Sequence, residues 1–268
     1  MKLLVQASDF GFTRATTYGA IDCIDLGLVR NTGMFTNMPT AEFAASFIPS
    51  RSHVCFGLDF NITSGPCVSD PKLIPHLVDE NGWFIRSTIR VKDPRFKTEE
   101  GRKELFPYDE CYIEMKAQYD RFIDLTGKKP GYLHPHSLSH ENYNEVIMQI
   151  SKETGVPYSR QIQKDYNFGD LSIEMFPEAL AMNKEVSLLE QLNKNPEKVF
   201  WENIEKVNSY EYFTLSGHAA YIDNELLSLT TVSLERCKDA AFCMSPNLKK
   251  WVEDNNVELI TYYDLINK

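Results

Sequence analysis

No stretch of the chain approaches 18 consecutive apolar residues, the length that a membrane-spanning helix needs. The first apolar run is broken early by Lys2, Gln6, Ser8 and Asp9, so the h-region of a secretory leader is missing as well. A soluble, cytoplasmic protein is the expectation. Positive charge is scarce too: 28 Lys plus Arg stand against 38 Asp plus Glu, and the net charge of −10 repels phosphate backbones and anionic lipid. Neither nucleic acid nor a membrane surface is an expected partner. The six cysteines, at 23, 55, 67, 111, 237 and 243, form no CxxC pair and fit reduced thiols serving as small core residues. There is no GxSxG elbow, Walker loop or GxGxxG fingerprint. The DFG at Asp9 to Gly11 lacks the HRD and glycine-rich loops that would make it a kinase motif.

What is present is an alternation of short apolar runs and helical patterns. Residues 2–7 (KLLVQA) have the pattern of a buried parallel strand, and residues 14–28 carry Ala15, Tyr18, Ile21 and Ile24 at helical spacing up to Gly27. Strands are expected again at 33–37 (GMFTN) and 53–62 (HVCFGLDFNI), with a helix at 41–48 between them. Residues 63–109, with five prolines, read as a long excursion over a barrel mouth. Helices at 109–126, 141–154 and 234–254 then alternate with strands at YLHPH, VPYSR, EYFTLSGH and ELITY. Seven or eight strands, mostly separated by helices, point to an irregular TIM-like (β/α) barrel, with a doubly wound open sheet as the alternative. No repeat, low-complexity tract or linker divides the sequence, so residues 1–268 are expected to form a single domain.

Asp9, Asp59, His136 and His218 each fall at or just beyond the C-terminal end of an expected strand. In a barrel those ends share one face, where the loops converge and the chemistry is placed. Two carboxylates and an imidazole brought together there call for a cation, and oxygen plus nitrogen donors suit Mg, Mn, Zn or Fe. Plainer roles exist for each. Asp9 or Thr13 could cap the helix that begins near Arg14. Asp59 could be an edge residue facing water, although a buried unpaired carboxylate is costly. The histidines of HPHSLSH could be structural, although His134 and His136 lie on the same side of an extended strand.

Taken in order, ASDFGFTRATTYGAID, GLDFNITSGP, EMKAQYDRFIDLTGKKP leading into HPHSLSH, VPYSR and GHAAYIDNEL resemble the YdjC-like carbohydrate deacetylases, which include chitooligosaccharide deacetylase, over nearly the whole chain. The resemblance implies an irregular β/α barrel. It also implies a divalent metal at the mouth, magnesium first with zinc or manganese as alternatives, and hydrolysis of an N-acetyl group on an amino sugar. A small carbohydrate is the implied substrate, and a homodimer is compatible with the family. The family's ADDFG motif matches Ser8 and Asp9, which implies Asp9 on the metal with Ser8 where the general base stands. The family's GLHLxLT motif places Asp59 at a metal-ligand position occupied there by His; Asp59 alternatively takes over as base. DSHxHxH puts His136 on the metal, with His134 and His140 beside the substrate. The late HPG or HPA motif matches His218 as general acid, followed here by Ala219, and an Arg after VPY matches Arg160 as a substrate contact. Ser8 cannot serve as a base at neutral pH, and an anionic Asp59 should bind a cation more tightly while weakening its pull on water.

Overall fold

The computed structural model describes residues 1–138, 140–175 and 187–266. Ser139 of the HPHSLSH motif therefore lies outside the described residues.

Six strands form one sheet: β1 (Lys2–Phe10), β2 (Asn31–Met34), β3 (Cys55–Phe60), β4 (Leu133–Pro135), β5 (Tyr212–Gly217) and β6 (Glu258–Ile260). All of their pairings are parallel, in the order β4-β3-β2-β1-β5. One edge of β1 carries β5 along Lys2–Ala7. The other edge is divided, with β6 against Lys2–Leu4 and β2 beginning at Gln6. The strands make an open, curled half-barrel. Beyond its two edge strands only single bridges continue the curl, Leu133 with Tyr158 and Gly169 with Phe213.

The expected seven or eight strands are thus corrected to six among the described residues. VPYSR supplies one bridge and turns at Ser159 into a helix, because β4 is only three residues long and offers little ladder to extend.

Alternation along the strands divides the core. Leu3, Val5 and Ala7 face the helices, packing in the large cluster with Ile21 and Ile24. Leu4 faces the lumen, with Cys55, Tyr132, Tyr212, Ile260 and Tyr262. This two-sided burial explains why the strands read as continuous apolar runs.

Helices α1 (Arg14–Asp25), α2 (Ala41–Ala45), α3 (Tyr108–Thr126) and α4 (Glu141–Thr154) follow the expected pattern, and Gly127 and Gly155 end the last two in the left-handed conformation. Ser159–Asp165 forms α5. The helix expected over 234–254 is two, α6 (Glu235–Cys243) and α7 (Pro246–Asp254). Pro246 cannot donate the hydrogen bond that would continue α6, and Ser245 caps the new helix by accepting from Leu248 N at 3.3 Å. None of the described helices is long and apolar enough to cross a membrane.

The excursion after β3 is hooked to the body by Glu114. This buried carboxylate accepts from the backbone N–H of Val68 (3.0 Å) and of Ser69 (2.9 Å), and from the Ser69 hydroxyl (2.7 Å).

Candidate active site at the mouth of the half-barrel

A regular strand sends consecutive side chains to opposite faces, yet Ser8 and Asp9 both serve the mouth. The reason is a bulge. From Ala7 to Phe10 strand β1 spends one residue more than β2 spends from Thr32 to Met34. Asp9 absorbs the extra step at φ 66°, a left-handed conformation that aspartate tolerates better than most residues. The helix-cap alternative for Asp9 falls away, since the Thr13 side chain accepts from Thr16 N and forms the cap of α1.

Asp9 is fully buried and its two oxygens meet an imidazole and a guanidinium. Oδ1 lies 3.0 Å from His136 Nδ1, and Oδ2 accepts from the Arg236 guanidinium at 2.8 Å. Burial alone would push the Asp9 carboxyl up, but His136 and Arg236 outweigh it and hold the group well below the usual carboxylate range. The edge of Phe35 packs on His136 at 4.7 Å, and Arg236 lies over Phe12 at 5.8 Å, so aromatic rings flank the trio.

Asp59 accepts from the Asp9 N–H through Oδ2 at 3.0 Å, while its Oδ1 is buried without a hydrogen-bond partner. Burial, and then the neighbouring Asp9 charge, push its carboxyl well above the usual range. Two adjacent carboxyls are therefore shifted in opposite directions, Asp9 down and Asp59 up. Asp59 fits only because β2 offers glycine beneath it. A Cβ on Gly33 would stand 1.7 Å from Asp59 Oδ1. Gly33→Ala should accordingly destabilise the fold by roughly 1–3 kcal/mol through overpacking. Combined with Asp59→Ala it should cost clearly less than the sum of the two changes, as read by urea denaturation of the four proteins of the cycle.

The donor set can be compared with what a divalent ion requires. Asp59 Oδ1 is buried and accepts no hydrogen bond, Asp9 Oδ1 has only the His136 ring at 3.0 Å, and with His136 they supply the oxygen and nitrogen donors that such an ion takes. The chemistry fits. Convergence is looser, because no ligand atoms from Asp9, Asp59 and His136 together lie within 4.8 Å of one another. Among the described residues that criterion is met by His218, Glu235 and Asp239. There Lys194 already supplies positive charge, 2.7 Å from Asp239 Oδ1 and 3.6 Å from Glu235 Oε2.

This second cluster organises His218. Its backbone N–H donates to Asp239 Oδ2 at 3.0 Å, and its ring Nδ1 lies 3.1 Å from Glu235 Oε1. A Cβ on Gly217 would come 2.7 Å from Asp239 Oδ2, so glycine before His218 is what lets that carboxylate approach. Burial pushes the Glu235 carboxyl up, but His218 and Lys194 outweigh it and leave Glu235 below its ordinary value. With Nδ1 engaged, Nε2 is the ring nitrogen left for chemistry.

A cavity of about 280 Å³ adjoins these groups. Ser8, His134 and His218 supply part of its polar wall, and Leu171, Met175, Leu215 and Phe242 part of its apolar wall. His134 Nδ1 is 2.7 Å from Ser159 Oγ. Burial, with Arg160 and His136 nearby, pushes the His134 ring down to about 3, so it is neutral. Arg160 is exposed on α5 and does not line the cavity.

His140 has a structural job. It is the N-cap of α4, accepting from Tyr143 N, and stacks on Phe106 at 4.0 Å. Burial pushes it down to about 4, against about 6.5 for an unfolded histidine. As pH falls, the unfolded chain takes up this proton first. Stability present above about pH 6.5 is therefore lost progressively down to about pH 4, a decline of order 3 kcal/mol from this group. His140→Asn keeps a side-chain cap acceptor. In urea titrations across that window it should remove about one proton from the slope of stability against pH.

Sequence reasoning missed Lys194, Glu235, Arg236 and Asp239. A faint signal existed for two of them: Glu235 and Asp239 share a helix face with the core residue Cys243, which places carboxylates on an apolar stripe. Nothing local marked Arg236, which is 1% exposed.

Carbohydrate deacetylase 2 of Listeria innocua serovar 6a is 31% identical over the full length of both chains. Chitooligosaccharide deacetylase of Proteus mirabilis is 25% identical over 98% of each. The fold is shared, at a TM-score of 0.74 and 22% identity over 98% of both chains, with a crystal structure of a candidate cellobiose-phosphate cleavage protein from Enterococcus faecalis V583. With the YdjC-like protein family profile matching residues 2–254, the chain belongs to that family.

Proposed function

We propose that the chain, working as one domain over residues 1–268, is a metal-dependent hydrolase that removes an N-acyl group, in the simplest case acetyl, from an amino sugar or short chitooligosaccharide. The observation that carries this reading is the oriented His218. Its Nδ1 is held by a buried carboxylate, and the residue shares a cavity with Ser8 and the neutral His134.

Amide hydrolysis needs a positioned water, a stabilised oxyanion and a proton for the departing amine. His218, its ring held at Nδ1 by Glu235, donates a proton from Nε2 to the amine nitrogen. Ser8 orients the water through its hydroxyl. Neither Asp9 nor Asp59 lines the cavity, so holding the site rather than transferring protons is the role assigned to both. A divalent ion bound by Asp9 and His136, with Asp59 beside them, would supply oxyanion stabilisation and a more acidic water; magnesium is our first choice.

A second reading has its own support. Ser8 stands at the cavity wall where a base would serve, and a hydroxyl accepts no proton at neutral pH. The chain would then bind a sugar or sugar phosphate with little turnover. Acetate release from diacetylchitobiose, measured with added Mg, Mn or Zn and again after chelation, decides between the two. Metal-dependent release supports the first. Its absence, with Ser8→Asp restoring it, supports the second, and no release from either protein overturns the hydrolase reading.

A further inference from the structure

We propose that the cavity beside His218 receives the alkyl tail of the acyl group, and that the preferred substrate carries an N-acyl chain longer than acetyl, butanoyl or larger. The inference rests on the hydrolase reading and narrows its substrate. The cavity measures about 280 Å³, the liquid volume of roughly nine waters, whereas the terminal methyl of an acetyl group fills about one. Something larger than acetyl is accommodated next to the reacting atoms.

The character of the wall says what that is. Its charged groups are bound to one another: Lys194 to Asp239 at 2.7 Å, and His218 to Glu235 at 3.1 Å. Asp170 is held by Ser172 N at 2.7 Å. Leu171, Met175, Leu215 and Phe242 offer no donor or acceptor from their side chains. A pyranose ring pushed inside would leave several hydroxyls desolvated against them, which is unfavourable, whereas methylene groups lose nothing. Thr214, on the same wall, is 4% exposed with a hydroxyl that has no partner, a single group against the several hydroxyls that a ring carries. The sugar therefore stays at the mouth and the acyl tail enters.

Each buried methylene should raise kcat/KM about fourfold. N-butanoylglucosamine, with two more methylenes, should then be hydrolysed about sixteenfold faster than N-acetylglucosamine at limiting substrate. Met175→Trp, which fills the cavity, should bring that ratio to about one, and Leu171→Phe serves where the first variant folds poorly. Because one sample cleaves both substrates, the ratio is independent of the folded fraction. A ratio of one or less in the unaltered chain overturns the inference and leaves the hydrolase reading intact. If neither compound is cleaved with any metal, the hydrolase reading fails, and calorimetric binding of the same two compounds decides the inference: tighter binding of the butanoyl compound upholds it and equal binding overturns it.

Discussion

Arg236→Met should destabilise the chain by about 3 kcal/mol, near the lower end of what breaking a buried ion pair costs. The guanidinium is paired with Asp9, and both partners are essentially inaccessible to water. Without it, a buried carboxylate keeps only His136 at 3.0 Å. Urea denaturation of the variant should show a lower midpoint with an unchanged slope. Asp9→Asn combined with Arg236→Met removes both charges and should recover most of the loss, since the penalty lies in the uncompensated charge rather than in a missing attraction. Equal stability of the parent chain and the single variant would show that the pair adds nothing.

His218→Asn should lower hydrolysis by about 10²–10⁴-fold, the range attributed to a positioned general acid. The diagnostic variant is Glu235→Gln. It preserves shape and a hydrogen-bond acceptor for Nδ1 but removes the carboxylate charge that faces the ring. Its expected signature is a fall in kcat of about tenfold or more with KM little changed. A merely structural Glu235 would lower the folded fraction, and kcat per folded molecule would stay at the parent value.

The local patterns carried much of the fold. Strands β1 and β3 were legible because both of their faces are buried, so apolar residues follow one another over Leu3–Val5 and Cys55–Leu58. Helix α4 matched its expected bounds because it has a cap at one end and Gly155 at the other. The break between α6 and α7 was written in Pro246 but hidden by an apolar period that runs through it. The missing strands were not legible, because VPYSR has strand-like composition and whether it pairs depends on how long its neighbour β4 is.

The sequence by itself determined that Asp9, Asp59, His136 and His218 would stand at strand ends on one face, since strand polarity and parallel pairing leave them nowhere else to go. Only the tertiary structure decided what each would touch. A one-residue bulge turns Asp9 to the mouth alongside Ser8, a glycine on the neighbouring strand makes room for Asp59, and one helix brings Glu235 to His218, 17 residues before it, and Arg236 to Asp9, 227 residues before it. Charge partners at such separations leave no periodic trace in a sequence, because the pairing is fixed by how the chain closes on itself.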